Sequence, residues 1–298
     1  VWYNSTSATV KYFAVLPASW ATGGNLVSAK SLLAGAGTQT AGLAIAGSPT
    51  PAPHTQEYNG TSWTSGGSMG FARYSLGGCG TQTAALATGG APPFGTGRTD
   101  NEEYNGTSWS DGGALPFARS QNANAGTQTA ALTFGDAIDL DSTQEYDGSS
   151  WTVGGNMGTG RFNLAGAGTQ TAGLAIGGDT DPTIVTATEE YNGTAWTAGG
   201  AMSQARRYAA ACGTQTAGMV FAGENGPVDR LSATELYDGS TWTTSPASLN
   251  TATQQNAAAT SGTQTAGLSF GGNPGPAATT QTEEYSAGGP ATLTVGTD

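Results

Sequence analysis

A five-residue string, GTQTA, occurs six times in this 298-residue chain. Successive copies begin 43, 46, 42, 45 and 49 residues apart, at Gly37, Gly80, Gly126, Gly168, Gly213 and Gly262. A period near 45 residues is typical of propeller blades or of arrays of helix pairs, in which each repeat buries its apolar face against its neighbours. The repeat therefore restricts the chain to one of these two architectures.

The sequence within each repeat favours strands over helices. Runs such as AGLAIAG and AALATGG are short, apolar and bounded by glycine, which suits strands covered on both faces. The first five copies are followed by strings such as EEYNGTSW, in which Asn-Gly or Asp-Gly separates two β-prone runs. These dipeptides predict two-residue hairpin turns with positive φ at both positions. The chain is therefore expected to be all-β, with four strands in each repeat.

The order of residues within the repeat resembles the kelch-repeat family of β-propellers. A Gly pair ends the apolar strand, a Tyr follows, a Trp comes five residues later, and a Met or Leu and an Arg come six and ten residues after the Trp. The tyrosines are Tyr58, Tyr104, Tyr146, Tyr191, Tyr237 and Tyr285; the tryptophans are Trp63, Trp109, Trp151, Trp196 and Trp242; the arginines are Arg73, Arg119, Arg161 and Arg206. The resemblance implies a closed ring of four-stranded blades.

The two ends of the chain are expected to close this ring. Trp20 is followed by Leu26 and Lys30 at the distances seen in the repeats, so residues 1–30 are predicted to form a part-blade. Residues 31–298 hold the six repeats, and the whole chain, 1–298, is expected to be one domain. The stretch from Pro290 to Val295 is a candidate outer strand of the last blade or a closing strand. Six repeats plus the terminal part-blade predict seven blades, with six as the alternative.

Composition excludes several partners. The chain carries 21 acidic and 9 basic residues, a net charge of −12, so it gains no counterion-release attraction to nucleic acid or to anionic lipid. It contains no run of about 18 apolar residues, so membrane insertion is not expected. Cys79 and Cys212 occupy the same strand position in two well-separated blades, beyond the ~7 Å within which a disulfide can form. We therefore expect two free, buried thiols.

One face of the predicted propeller is far more variable than the other. In a four-stranded blade the GTQT and Asn-Gly turns lie on one face and barely change, whereas the second-to-third-strand loops and the blade connections on the opposite face differ in length and chemistry. Binding residues concentrate on variable loops held by a rigid scaffold. The candidate binding residues on this face are Arg98, Asp100, Asp139, Asp141, Asp179, Asp181, Arg207, Glu224, Asp229 and Arg230.

No cofactor is expected, and a calcium ion is the one candidate that the sequence offers. Asp136, Asp139 and Asp141 in the string DAIDLD supply the hard oxygen ligands that Ca²⁺ prefers. Their spacing does not match an EF-hand loop, and solvated loop carboxylates are the alternative interpretation.

The repeated side chains are expected to serve the scaffold. The Trp and Tyr could form an exposed platform for sugar rings, but packing between blades is favoured. The Arg is expected to bind a backbone carbonyl or the repeated Glu rather than a ligand carboxylate. The Gln and Thr of GTQT are expected to make hydrogen bonds within the turn rather than to form a ring of polar ligands.

Catalysis is not expected. His54 is the only histidine, and no GxSxG string accompanies it, which argues against a Ser-His-Asp triad; a copper oxidase on this scaffold would need two histidines. A glycosidase that uses loop carboxylates stays an alternative.

The segment VWYNSTSATVKYF and the Gly/Thr/Ala-rich repeats resemble bacteriophage tail-fibre and other virion proteins. This resemblance implies a non-enzymatic propeller on a phage or virus particle, virion-bound or extracellular. Its partner would be a host-surface glycan or receptor or another virion protein, and it could form a homo-oligomer. A secreted bacterial adhesin or lectin is the alternative.

Overall fold

The computed structural model describes residues 2–4, 9–49, 53–92, 96–137 and 140–296. Within these ranges the chain is all-β and contains no helix, as expected from the repeat. None of the described residues forms a helix that could cross a membrane.

The first three strands are β1 (Trp2–Asn4), β2 (Thr9–Leu16) and β3 (Ser19–Thr22). Five groups of four consecutive strands then form blades one to five, each an antiparallel sheet in chain order. Their strands are β4 (Ala34–Thr38), β5 (Ala41–Ile45), β6 (His54–Tyr58) and β7 (Trp63–Ser68) in blade one; β8 (Gly77–Thr81), β9 (Ala84–Thr88), β10 (Asn101–Tyr104) and β11 (Trp109–Asp111) in blade two; β12 (Ala123–Thr127), β13 (Ala130–Phe134), β14 (Thr143–Tyr146) and β15 (Trp151–Val153) in blade three; β16 (Ala165–Thr169), β17 (Ala172–Ile176), β18 (Thr188–Tyr191) and β19 (Trp196–Ala198) in blade four; and β20 (Ala210–Thr214), β21 (Ala217–Phe221), β22 (Thr234–Tyr237) and β23 (Trp242–Thr244) in blade five. The first strands of neighbouring blades contact one another around a central axis.

Blade six is built from both ends of the chain. Its strands β24 (Ala257–Ala258), β25 (Leu268–Phe270) and β26 (Thr282–Ser286) are completed by β3, which places Trp20 opposite Tyr285. The described residues therefore form six four-stranded blades, and the expectation of seven is wrong. The sixth repeat lacks its own Trp because Trp20 fills that place, so the part-blade and the sixth repeat are one blade.

The last strand, β27 (Gly289–Gly296), pairs with β2 along eight residues, from Gly289–Leu16 to Gly296–Thr9. Together with β1 these strands form a three-stranded sheet separate from the blades. The stretch from Pro290 to Val295 is therefore neither the outer strand of the last blade nor a strand that closes the ring, because it pairs with β2 outside the blades and β3 completes blade six.

Two kinds of turn lie on the same face of blades one to five. In GTQT, Thr38 pairs with Ala41, and Gly37 has a φ of +88°; a Cβ on Gly37 would lie 2.0 Å from the Ala41 carbonyl oxygen, so only glycine fits. The Asn-Gly turn is a four-residue loop instead of the predicted two-residue turn. Only Gly60 has positive φ there, because the Asn59 side chain shapes the loop by accepting hydrogen bonds from the Thr61 and Ser62 amides at 3.0 and 2.9 Å.

The repeated aromatic residues pack between blades, as expected. The Trp63 ring lies 4.9 Å from Tyr58 in its own blade and 5.0 Å from Phe270 in blade six, and its Nε1 donates to Thr282 Oγ1 at 2.9 Å. The Tyr58 hydroxyl donates to Glu284 in blade six at 2.5 Å. Burial, and secondarily this carboxylate, raise the pKa of Tyr58 to about 12.

The repeated arginines are buried and also serve the scaffold. Arg206 donates to the carbonyl oxygens of Ala222 and Ala233 at 3.0 Å and forms an ion pair with Glu235 at 2.7 Å. Equivalent pairs join Arg73 to Glu102 and Arg161 to Glu189; in blade three Gln144 stands at the place of this Glu, and Arg119 pairs with Asp136 at 3.4 Å. The prediction that this Arg binds carbonyls and an acidic side chain is confirmed.

The GTQT side chains divide their roles. The threonine bonds within its turn, as predicted: Thr81 Oγ1 accepts from the Ala84 amide at 3.1 Å. For the glutamine the prediction is wrong, because Gln39 Nε2 donates across to the Gly267 and Tyr285 carbonyls of blade six. The other five repeated glutamines bridge to the preceding blade in the same way: Gln82, Gln128, Gln170, Gln215 and Gln264.

Both cysteines are free and buried, as expected. Burial raises the pKa of each thiol to about 12.

Candidate binding site at the axis of the variable face

The strand order separates two faces of the propeller. The constant face carries the GTQT turns and the Asn-Gly loops. The variable face carries the connections between blades and the connections between the second and third strands of each blade. Among the described residues, the latter comprise 46–49 and 53, 89–92 and 96–100, 135–137 and 140–142, 177–187, 222–233 and 271–281. This arrangement is the one predicted from the repeat.

The charged candidates on the variable face bond mainly to one another. Arg207 pairs with Asp179 at 2.5 Å and with Glu224 at 2.9 Å, and Arg98 pairs with Asp100. Arg230 donates to the backbone carbonyls of residues 273 and 275 at 2.9 and 3.1 Å. These contacts tie neighbouring connections together. Asp181 and Asp229, by contrast, are exposed to solvent.

The three acidic residues suggested for calcium differ in their surroundings. Asp136 is fully buried beside the Arg119 guanidinium, at 3.4 Å, and Asp141 accepts a hydrogen bond from Asn156 at 3.3 Å. Asp139 lies outside the described residues. Within the described ranges, no group of three His, Cys, Asp or Glu side chains is placed to hold a metal ion.

A closed ring of backbone hydrogen bonds surrounds the axis where the first strands begin. The Ser75 amide donates to the Leu32 carbonyl, Gln121 to Ser75, Asn163 to Gln121, Tyr208 to Asn163, Gln255 to Tyr208, and Leu32 to Gln255, all at 2.8–3.0 Å. We call these six residues the axial ring. Each has a φ between +52° and +60°, a conformation that costs a non-glycine residue about 1–3 kcal/mol. The hydrogen bonds to two neighbouring blades hold each residue in this conformation.

The axial ring forms the mouth of a pocket on the variable face. The pocket has a volume of about 130 Å³ and is lined by the ring residues and the starts of the first strands. Four leucines, Leu32, Leu33, Leu76 and Leu164, supply apolar surface. The polar lining consists of Ser75, Gln121, Asn122, Asn124, Asn163, Tyr208, Gln255, Asn256 and Thr260. No lining residue is Asp, Glu, Lys, Arg, His or Cys.

The pocket is closed below by an insertion in blade six. Gly262 comes seven positions after Gln255, whereas Gly213 comes five positions after Tyr208 in blade five, so blade six has two extra residues between its axial residue and its GTQT turn. The resulting bulge crosses the axis: the Ser261 amide donates to the Gly37 carbonyl of blade one at 2.9 Å, and Ser261 Oγ donates to the Gly80 carbonyl of blade two at 2.7 Å. Thr260 lines both this pocket and a second cavity on the constant face. Thr260 of the bulge therefore forms part of the floor of the pocket and borders the second cavity.

The side chains of the axial ring have unused hydrogen-bonding capacity. Within the described part of the chain, the Ser75 hydroxyl and the Gln121 and Gln255 amides make no hydrogen bond to protein. Asn163 is 6% exposed and lies near the Tyr208 hydroxyl. Burial raises the pKa of Tyr208, so its hydroxyl remains a hydrogen-bond donor at neutral pH.

Sequence reasoning missed the axial ring. In the sequence, five of its six residues lie two positions after the repeated Arg or Lys. The residue at this position changes from blade to blade, although the residues around it recur: Leu32, Ser75, Gln121, Asn163 and Tyr208. Because this position is mostly polar but uncharged, the charged residues of the connections do not indicate it.

Fold and pocket together define a class of protein: within its described residues the chain is a six-bladed, all-β propeller with a pocket at its axis. No protein-family model and no curated protein matches the chain. Its resemblance to kelch and virion proteins therefore rests on its own repeats and segments.

Proposed function

We propose that this propeller is a non-enzymatic binding protein that recognises a glycan through its variable face. The observation that carries the proposal is the contrast between the faces. GTQT turns in all six blades and Asn-Gly or Asp-Gly loops in blades one to five form the constant face, whereas an uncharged pocket and connections of different length and chemistry form the variable face. A rigid scaffold that presents variable connections and a concave polar pocket suits recognition of a ligand.

The chemistry of the pocket favours binding over hydrolysis. A glycosidase needs two carboxyl groups on either side of the scissile bond. The axial pocket is lined by none, and the connection carboxylates of Asp100, Asp179 and Glu224 are each paired with an arginine. Incubating bound glycans with the chain should therefore release no free sugar, and release would favour the glycosidase.

We further propose an exposed location on a phage or virus particle, where the chain would contact a host-surface glycan. Support for this comes from the resemblance of its first residues and its Thr- and Gly-rich repeats to virion proteins. A secreted adhesin would use the same surface, and the genes that neighbour this one distinguish the two contexts.

A glycan array combined with blocking of one face at a time tests the proposal. Val228 is 84% exposed on the variable face, and Thr40 is exposed on the constant face. Because the native thiols are buried, a bulky polyethylene glycol maleimide should react only at the new thiol of a Val228→Cys or Thr40→Cys variant. Polymer on the first variant should abolish array binding, and polymer on the second should leave it intact. Absence of binding to every glycan, or equal loss from both variants, would contradict the proposal.

A further inference from the structure

We propose that the axial pocket binds one neutral sugar ring at the end of a glycan, with the amides and hydroxyls of the axial ring as its hydrogen-bonding groups. This inference rests on the proposed function. It places the glycan-binding site of the propeller at residues that lie apart from the charged residues of the connections.

The absence of charge in the pocket decides the class of ligand. The chain has a net charge of −12, yet all the residues lining the pocket are neutral. An ion that enters an uncharged pocket loses its hydration without gaining an opposite charge, which is strongly unfavourable. The pocket therefore selects a neutral ligand.

The polar groups of the pocket match hydroxyl groups. A carboxamide both donates and accepts hydrogen bonds, as does a hydroxyl group of a sugar. Gln121, Asn163 and Gln255 supply three amides in the ring, Ser75 and Tyr208 supply hydroxyls, and Thr260 lies in the floor. The leucines and the Tyr208 ring add the apolar surface that the C–H face of a sugar needs.

The dimensions limit how much of a glycan enters. A volume of about 130 Å³ exceeds several-fold the ~30 Å³ that one water molecule occupies. It is smaller than the ~300–1,000 Å³ of pockets that enclose drug-sized ligands. Because Thr260 of the bulge lies in the floor of the pocket, we expect the end of a glycan to enter it and the chain not to pass through. The pocket therefore accepts a terminal ring, and the variable connections surround the rest of the glycan.

The backbone of the axial ring is also pre-organised for binding. Each ring residue donates its amide to one blade and accepts at its carbonyl from the next, so the backbone groups are satisfied without ligand. The side chains are then the groups left to bond the sugar. A rigid ring loses little conformational entropy on binding, which favours affinity from few contacts.

Glycine substitutions remove these side chains without disturbing the ring. Because glycine adopts positive φ without a steric penalty, Gln121→Gly and Gln255→Gly should preserve the backbone. Thr40→Ala, at an exposed residue of the constant face, is the control for a change outside the pocket and outside the variable face.

Isothermal titration of the full chain with methyl glycosides of glucose, galactose, mannose and N-acetylglucosamine, and with glucuronic acid as the acidic comparison, provides the test. At least one neutral glycoside should bind at least tenfold more tightly than the acid. Each glycine variant should weaken that binding about three- to tenfold, the effect of one lost hydrogen bond, whereas Thr40→Ala should not.

Failure of this inference differs from failure of the proposed function. If glycan-array binding requires the variable face but the glycine variants bind as the unmodified chain does, the pocket assignment is wrong and the proposed function stands. If no neutral glycoside binds, the pocket assignment is again overturned. If the array is also empty, the proposed function fails with it.

Discussion

Replacing Asn101 by Thr should stabilise the propeller, because this position departs from a pattern kept in the other five blades. In those blades a Trp Nε1 donates to a Thr Oγ1 of the preceding blade at 2.8–3.0 Å. Blade two has Asn101 at the position of the Thr. Trp151 Nε1 and both polar atoms of the Asn101 side chain are consequently buried without a hydrogen-bond partner.

The size of the effect follows from these three atoms. A buried polar atom without a partner costs about 1–3 kcal/mol. Threonine would remove the two unpaired polar atoms of Asn101 and give Trp151 Nε1 an acceptor. It would also remove the weak contact between the Asn101 amide and the Tyr146 hydroxyl. We expect a net gain of about 2 kcal/mol in the free energy of unfolding. With an unfolding entropy of about 2.1 cal/mol/K per residue, this gain raises the Tm of a 298-residue chain by roughly 3 °C.

Thermal unfolding followed by circular dichroism checks this value with two controls. Asn101→Val has the shape and strand preference of Thr but no hydroxyl, so the difference between the Thr and Val variants isolates the hydrogen bond to Trp151. Thr143→Asn recreates the arrangement of blade two at Trp196 and should lower the Tm by a similar amount. A Tm for Asn101→Thr at or below that of the unmodified chain, or equal Tm values for the Thr and Val variants, would refute the reasoning.

Three further predictions concern the buried groups between blades. The pKa is about 12 for five buried tyrosines: Tyr58, Tyr104, Tyr146, Tyr191 and Tyr237. Because the same tyrosines ionise near pH 10 in the unfolded chain, rising pH between 10 and 12 increasingly favours unfolding. Denaturant titrations should therefore show a constant free energy of unfolding just below pH 10 and a decrease above it. Cys79 and Cys212 should resist alkylation in the native chain, and both should become modified when the chain unfolds. Mass spectrometry of the alkylated peptides checks this, and modification of either cysteine in the native chain would contradict it. Arg206→Met should lower the free energy of unfolding by about 3–5 kcal/mol, because it leaves the Glu235 carboxylate buried and unpaired. In urea unfolding, the Arg206→Met/Glu235→Leu double variant should recover most of that loss. Equal losses for the single and double variants would argue against a buried ion pair.

The blade was readable from the sequence because its demands recur. Gly37 and its equivalents mark a turn that excludes any side chain, and the Tyr and Trp mark the surface between blades. The number of blades was harder to read because Trp20 and the sixth repeat lie at opposite ends of the chain. Only the pairing of Trp20 with Tyr285 shows that they belong to one blade.

The candidate site was less predictable for a different reason. The charged residues of the connections attract attention in a sequence, but partners such as Asp179 and Arg207 lie 28 residues apart, and their pairing depends on how neighbouring connections meet. The axial ring depends on hydrogen bonds between residues about one repeat apart, which no local pattern reveals. The two-residue insertion at Thr260 and Ser261 was visible as the longest spacing between GTQTA copies, but its role as the floor of the pocket requires the closed ring.

The most direct test of the axial pocket is the response of side-chain amide resonances to a sugar. The chain offers an internal comparison, because Gln121, Asn163 and Gln255 lie at the axis of the variable face, whereas the six GTQT glutamines lie on the constant face and donate to carbonyls between blades. On titration with the neutral methyl glycoside that binds most tightly, the amide signals of the axial ring should shift with saturation, and those of the GTQT glutamines should not. Shifts confined to the GTQT glutamines, or to side chains of the outer connections, would contradict binding at the axis.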